Sequence, residues 1–126
     1  MNLTTRLSAH IESFYGGLLT LTRTFSATNE ALTKYQHDPI GMTIESLQRL
    51  DIGLNQIVTA SYLYIQTSSP VDVTIMTKVG PTDPPLDNEA TFRLNDAILI
   101  GADITALSVY NPQSAAVLVQ VSAVGV

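Results

Sequence analysis

The chain of 126 residues has no cysteine, no tryptophan and only six lysine and arginine residues. Without cysteine, neither a disulfide framework nor a thiolate metal site can form, so stability must come from packing or assembly. The six cations are scattered along the sequence, at Lys34, Lys78, Arg6, Arg23, Arg49 and Arg93. Binding to nucleic acid or to an anionic membrane surface requires clustered cations. We therefore expect neither of these partners.

Charged side chains of both signs are scarce. They make up 13% of the residues, about half of the ~25% that is usual. The net charge is −5, and neutral polar groups come from 15 threonine and 10 serine residues. Hydroxyl groups cost less free energy to bury than charges do. This composition favours a protein partly covered by neighbouring subunits, although a stable extracellular monomer would also be compatible with it.

Long hydrophobic runs are absent as well. No stretch approaches the 18 or so apolar residues of a membrane-spanning helix. Residues 1–6 lack the cationic start and apolar run of a signal peptide. We expect neither kind of segment. The length, with no internal repeat or linker, predicts a single domain over residues 1–126.

Apolar and polar residues alternate with a period of two along most of the chain, which is typical of half-buried strands. In the first such segment, Leu7, Ala9 and Ile11 alternate with Ser8 and His10. The pattern occurs at residues 3–11, 19–25, 61–66, 71–76, 92–94, 104–110 and 115–126, and residues 97–100 form a short apolar run. About eight short strands separated by turns predict an all-β fold, a single antiparallel β-sandwich that resembles a jelly roll.

Three segments call for a local prediction. Residues 28–36 place Ala31, Leu32 and Tyr35 at helical spacing, which predicts a short helix. Residues 42–54 fit both a strand and a helical face, and the β surroundings favour strand or extended chain. Residues 61–66 and 71–76 flank a short polar turn, which predicts a β-hairpin.

No residue pattern indicates catalysis or a cofactor. A serine or lysine nucleophile needs an adjacent base, and the two histidines, His10 and His37, lie on an outward-facing strand position and in a proline-flanked loop. Nucleotide-binding glycine motifs are also missing. We predict that the protein is not an enzyme, with no catalytic residues and no cofactor.

One loop carries oxygen ligands of the kind that Ca²⁺ prefers. Asp83, Asp87, Asn88 and Glu89 cluster in it, but their spacing matches no EF-hand. An acidic loop is ordinary in a protein of net charge −5. We therefore predict no metal site, and the sequence leaves open whether residues 83–89 bind an ion.

Some predicted strands are apolar on both faces, which a sheet with one wet face does not require. Residues 61–66 add Tyr62 and Tyr64 to an apolar inner face, and the last strand adds Leu118 and Val124. The tail ending at Val126 is apolar too. Lysine residues that protect strand edges are also few. We predict a subunit interface that includes these five residues, while burial of the tyrosines in the core remains the alternative.

Two stretches carry a resemblance to known proteins, namely residues 60–68 (ASYLYIQTS) and residues 92–112 (FRLNDAILIGADITALSVYNP). They resemble small virion structural proteins of tailed bacteriophages, β-sandwich proteins in which a strand like Leu107-Ser108-Val109-Tyr110-Asn111 precedes a final valine-rich strand. The resemblance covers about the last half of the chain and assigns no site residues. It implies a virion location, either as a capsid decoration (cement) protein or as a neck or tail component.

The composition and the resemblance together predict a non-enzymatic virion structural protein that stabilises an assembly through subunit contacts. A phage capsid decoration protein is the first hypothesis, and a neck or tail component is the second. The partners would be further copies of the chain, the major capsid protein, or both. A carbohydrate- or receptor-binding β-sandwich module remains the alternative, because Tyr62, Tyr64 and the acidic loop suit it.

Overall fold

The computed structural model describes residues 5–29, 34–37, 40–79 and 86–126. None of these residues is helical, and ten strands with antiparallel pairing make up their regular structure. The strands are β1 (Thr5–Tyr15), β2 (Leu18–Asn29), β3 (Lys34–His37), β4 (Met42–Ile44), β5 (Arg49–Ile52), β6 (Ala60–Thr67), β7 (Val71–Val79), β8 (Leu86–Leu94), β9 (Ala97–Tyr110) and β10 (Val117–Gly125). The predicted all-β antiparallel fold is confirmed. No helix in the described part of the chain could cross a membrane.

Strands β1 and β2 form a long hairpin within the first of two compact units, residues 1–33. Its turn is Gly16-Gly17, with φ of 58° and 81°. A two-residue turn with positive φ at both positions matches the twist of the flanking strands, and glycine adopts such angles without steric cost. The glycine pair is thus the local reason for the hairpin. The predicted single domain over residues 1–126 stays a prediction.

The second unit, residues 34–126, contains the remaining strands. Their order is β3-β10-β6-β9-β7-β8, with β4 also beside β10 and β5 also beside β9. Strand β9 changes partners along its length. From Ala97 to Ile104 it pairs with β6, and from Ile104 to Tyr110 it pairs with β7. Its last four residues, Leu107 to Tyr110, also pair with β5. Strand β5 lies on the same side of β9 as β6 does in the first half of the strand. One 14-residue strand therefore joins two groups of strands.

Every second residue is buried along β10, along β6 from Leu63 and along β7 from Val71 to Ile75, as the alternation in the sequence predicts. In β10 the buried positions are Val117, Val119, Val121, Ala123 and Gly125, and the residues between them are half-buried or exposed. The hydrophobic core consists of Ile44, Ile52, Leu54, Ile57, Ala60, Leu63, Ile65, Val71, Val73, Ile75, Leu94, Ile104, Leu107, Val109, Val117, Val119, Val121 and Ala123. It separates an inner from an outer face for each strand. The sandwich and jelly-roll arrangement stays a prediction.

Two local predictions are wrong. Thr28 and Asn29 belong to β2, and Lys34 to Gln36 belong to β3, so no helix forms in the described part of residues 28–36. Strands β6 and β7 are consecutive but do not form a hairpin, because β6 pairs with β10 and β9 whereas β7 pairs with β8 and β9. Residues 68–70 instead carry the chain from one group of strands to the other. Residues 42–54 contain β4 and β5, as the strand prediction expects, with a turn at Ser46-Leu47 between them.

A buried asparagine fixes the two loops at one end of this unit. The Asn111 amide Nδ2 donates hydrogen bonds to the carbonyl oxygens of Ile44 and Ala115, both at 2.9 Å. Its Oδ1 accepts one from the Gln113 backbone N–H at 2.8 Å. All of the hydrogen bonds are internal because the side chain is fully buried. The sequence suggests only a turn here.

Candidate interaction surface

One outer face of the sheet has few acidic or basic residues: His37 stands opposite Ser122 in the register, and Asp103 is exposed on β9. Strands β3, β4, β10, β6 and the first half of β9 lie side by side, and their register places twelve neutral residues on this face. We call them the uncharged face: Tyr35, Thr43, Leu118, Gln120, Ser122, Val124, Tyr62, Tyr64, Gln66, Ala97, Leu99 and Gly101.

Large apolar side chains on the uncharged face are exposed to solvent. Tyr35 is 71% exposed, Tyr64 38%, Leu99 39% and Leu118 42%. Tyr64 and Leu99 are directly opposite each other on β6 and β9. Burying such side chains contributes roughly 25 cal/mol per Å² of apolar surface. Because none of these twelve residues is acidic or basic, burying them against a protein partner requires no desolvation of their own charge.

A glycine makes room for one of these residues. Gly41 has φ of 89°, which favours glycine, and a Cβ there would lie 2.9 Å from Leu118 Cδ1 and 3.0 Å from Gln120 Cγ. The Leu118 side chain therefore lies against the Gly41 backbone. Leu118 itself remains 42% exposed.

The other outer face has the opposite chemistry. We call it the charged face, and it is formed by β5, the second half of β9, β7 and β8. Arg93 and Asp72 form an ion pair there, with Nε 2.5 Å from Oδ1. Arg49 donates a hydrogen bond to Ser108 Oγ at 3.0 Å and lies over the Tyr110 ring. These contacts are ordinary for a solvated sheet surface, which makes the uncharged face the exceptional one.

The structure brings four of the five predicted interface residues together. Val124 is opposite Tyr62, and Tyr64 is two residues further along β6, one strand away from Leu118 on β10. Tyr62 and Val124 are half-buried, so both tyrosines lie on the outer face and not in the core. Whether any of these residues contacts a partner stays a prediction.

Val126 lies apart from the other four. Its carbonyl oxygen accepts hydrogen bonds from the N–H groups of Val58 at 2.8 Å and Thr59 at 3.2 Å, and its own N–H donates to Thr59 at 3.1 Å. The apolar tail is thus held by the residues that precede β6. Its side chain remains about half exposed.

Sequence reasoning missed Tyr35 and Leu99. Tyr35 was assigned to a helix, whereas β3 places it opposite Val124. Leu99 belongs to the run Ala97-Ile98-Leu99-Ile100, which gives no alternation to separate inner from outer positions. In a strand, Leu99 must face the opposite way from Ile98 and Ile100. Only the pairing with β6 shows that Leu99 is the residue that faces outward.

The charged face contains an open cleft with a volume of about 650 Å³. Arg49, Asp51 and Glu89 line it together with the hydroxyl groups of Thr74 and Ser108. The volume falls in the range of ligand pockets, roughly 300–1,000 Å³. The lining includes no aromatic residue, so the cleft offers hydrogen-bonding groups and carboxylates without a stacking surface.

The acidic loop does not form a described site. Asp83 lies outside the described residues, while Asp87, Asn88 and Glu89 belong to β8 as a regular strand. In the described part of the chain, no three carboxylate or histidine side chains are grouped as a metal site would require. His10 is exposed, as expected, and the His37 side chain lies outside the description.

Comparisons with known proteins identify no relative of this chain. No family model, no curated protein sequence and no solved structure matches the chain.

Proposed function

We propose that this protein is a non-enzymatic virion structural protein that stabilises an assembly by binding neighbouring subunits through the uncharged face. The observation that carries the proposal is the contrast between the two outer faces of residues 34–126. One face has charges, an ion pair and polar contacts, whereas the other has twelve neutral residues with exposed tyrosine and leucine side chains.

The contrast supports binding because water solvates charged side chains well and apolar side chains poorly, so a face that stays exposed to water is expected to carry charges. The chain has a net charge of −5, yet none of the twelve residues of the uncharged face is acidic or basic, and only His37 and Asp103 lie beside them. Exposed apolar patches on soluble proteins are typical of surfaces that are covered by a partner. Tyrosine side chains are also enriched at the centres of protein interfaces, where ring and hydroxyl both find contacts.

The virion assignment rests on the phage resemblance together with this surface. Decoration of a capsid requires a small protein that binds other subunits over an uncharged, pre-formed area, and both the size of the chain and the uncharged face suit that task. The proposed partner is the major capsid protein, further copies of the chain, or both. A neck or tail position would use the same surface.

Particle incorporation tests this proposal. The variant Leu118→Asp places a carboxylate on the uncharged face, and Thr91→Asp, on an exposed position of β8, is the matched control. Each variant is supplied in cells infected with a phage that carries this gene in deleted form, and the copies per purified particle are counted by quantitative mass spectrometry. We expect stoichiometric incorporation of the wild-type chain and of Thr91→Asp.

Burying an unpaired carboxylate costs several kcal/mol, so Leu118→Asp should lower incorporation at least tenfold, since a factor of ten corresponds to about 1.4 kcal/mol. Absence of the wild-type chain from purified particles would refute the virion assignment. Equal incorporation of both variants would refute the uncharged face as the contact. Immunogold labelling of heads or of tails then separates decoration from the neck or tail alternative.

A carbohydrate- or receptor-binding function is the second candidate, and the cleft on the charged face favours it. Arg49, Asp51 and the Thr74 and Ser108 hydroxyl groups present donors and acceptors of the kind that bind sugar hydroxyls. Glycan-array binding that Asp51→Asn abolishes, with Tyr64→Ala as a control outside the cleft, would support this candidate. If Tyr64→Ala abolishes binding instead, the tyrosine face is the sugar site, as the sequence alternative assumed.

A further inference from the structure

The turn between β4 and β5 contains a backbone conformation that leucine rarely adopts. Leu47 has φ of 59°, and the Gln48 N–H donates a hydrogen bond to the Glu45 carbonyl oxygen at 3.2 Å. Where the third residue of such a turn has a positive φ, glycine or asparagine is usual. In the left-handed region the Cβ of a leucine lies too close to the following carbonyl oxygen. The turn is therefore strained in a way that a different residue would relieve.

The other left-handed positions in the described part of the chain are occupied by residues that tolerate them. Three are glycines, Gly16, Gly17 and Gly41, and the fourth is Asn55 with φ of 52°. Asparagine visits this region at little cost, because its short polar side chain forms local hydrogen bonds. Asn55 thus shows the residue type that this conformation ordinarily takes, and Leu47 is the exception.

The Leu47 side chain faces solvent although it is apolar. It is 62% exposed, so most of its surface remains in contact with water, which is unfavourable. Strain and exposure both raise the free energy of the folded chain on its own. Strained residues of this kind cluster at sites that bind a ligand or a partner, and a partner that covers the side chain would offset both costs.

Hydrogen bonds from the neighbouring loop hold the turn in place. The Leu47 N–H donates to the Asn111 carbonyl oxygen at 2.9 Å, and the Asn111 N–H donates to the Gln48 carbonyl oxygen at 2.9 Å. The Ser46 hydroxyl donates to the Gln113 carbonyl oxygen at 2.6 Å. Because Asn111 is fully buried, these bonds fix the turn to the core of residues 34–126. A preorganised side chain loses less entropy when a partner binds it.

The turn lies at the end of the uncharged face. Strand β4, which carries Thr43 of that face, leads directly into it. Residues 112–116, which contact the turn, lead into β10 and its exposed residue Leu118. Among residues 45–48 and 112–116, Glu45 is the one ionisable residue. A partner that covers the uncharged face can therefore reach the strained leucine without desolvating a cluster of charges.

We propose that Leu47 is an anchor residue whose side chain inserts into an apolar pocket of the protein subunit that the uncharged face contacts. This inference rests on the proposed function. One leucine side chain covers far less than the roughly 800 Å² that each partner contributes to a stable interface, so the anchor needs the uncharged face beside it. The pocket must be neutral inside, and its rim must offer a hydrogen-bond donor to the nearby Glu45 carboxylate.

The stability of the full chain provides the first test. In Leu47→Asn the relief of strain offsets the loss of the partly buried apolar surface, so the urea midpoint should stay within about 0.5 M of the wild-type value. A leucine that packs within the chain would behave differently, because its loss would lower the midpoint by more than about 1 M. Far-UV circular dichroism follows the unfolding.

Binding to particles provides the second test. Particles of a phage that carries this gene in deleted form are incubated with the labelled chain and sedimented, and the dissociation constant is measured. Leu47→Asn should weaken binding about tenfold, since burying most of a leucine side chain contributes a factor of that order. Leu47→Met keeps an apolar side chain of similar volume and should bind like the wild type.

Val58→Asn is the matched control for the loss of an exposed apolar side chain. Val58 is 69% exposed and lies outside the uncharged face, and it is not among the residues with positive φ. We expect Val58→Asn to bind particles as the wild type does. Equal weakening in Val58→Asn and Leu47→Asn would mean that the particles respond to general surface hydrophobicity, which would overturn the proposal.

Three further results would overturn it. A midpoint more than about 1 M lower in Leu47→Asn would show that the side chain packs within the chain. Undiminished binding of Leu47→Asn to particles would refute the anchor alone and leave the proposed function intact. A wild-type dimer in sedimentation equilibrium that Leu47→Asn dissociates would make a second copy the occupant. If the wild-type chain does not bind particles, the proposed function fails and the anchor fails with it.

Discussion

Replacing Asn111 by alanine should destabilise residues 34–126 by about 3 kcal/mol. The side chain is fully buried and makes three hydrogen bonds, to the Ile44 and Ala115 carbonyl oxygens and from the Gln113 N–H. Each such bond contributes roughly 1 kcal/mol net, and buried partners left without one cost more. Against a typical stability of roughly 5–15 kcal/mol, this is a large fraction.

The position of Asn111 explains why the effect should not stay local. Its backbone N–H donates to the Gln48 carbonyl oxygen at 2.9 Å, and its own carbonyl oxygen accepts from Leu47 at 2.9 Å. Backbone and side chain together tie the loop before β5 to the turn before β10. Water entering to satisfy the freed groups must separate these two loops, because no solvent reaches the site in the folded state.

Urea denaturation followed by far-UV circular dichroism measures the effect. Asn88→Ala is the matched control, because Asn88 is exposed on β8 and surface substitutions usually change stability by less than ~0.5 kcal/mol. All proteins are compared at one concentration, since association adds to apparent stability. A loss below about 1 kcal/mol for Asn111→Ala, or an equal loss for Asn88→Ala, would refute the reasoning.

Two further substitutions test other contacts. Gly125→Ala should reduce the melting temperature strongly and release the C-terminal residues, because a Cβ there would overlap the Thr59 carbonyl oxygen and lie 2.8 Å from Ala60 Cα; an unchanged melting temperature would contradict the close approach of β10 to β6. Arg93→Ala should cost less than about 1 kcal/mol, because its ion pair with Asp72 is solvent-exposed and such pairs contribute little; a loss above 2 kcal/mol in the same denaturation assay would contradict a solvated charged face.

The sequence predicted strands better than it predicted their partners. Period-two alternation identified β6, β7 and β10 because half-buried strands must alternate. It did not show that residues 68–70 connect two different groups of strands, since hairpins and crossovers use the same turn residues. Likewise residues 97–100 and 104–110 were read as separate segments, whereas β9 runs through both. Pairing depends on contacts distant in sequence, which local composition does not encode.

The same limit applies to the candidate surface. Tyr62, Tyr64, Leu118 and Val124 were identified because their strands were apolar on both faces. Leu99 could be added only once β9 was paired with β6. The burial of Asn111 was missed for a related reason: asparagine before proline is a turn signal wherever the turn lies.

The change of partners along β9 has a consequence for how the molecule comes apart. Residues 97–104 belong to the ladder with β6, and residues 104–110 belong to the ladders with β5 and β7. Neither group of strands can open without releasing part of the same continuous strand, so a local opening at one end removes packing from the other. Residues 34–126 should therefore lose their structure in one cooperative step, with the slowest amide exchange concentrated around Ile104.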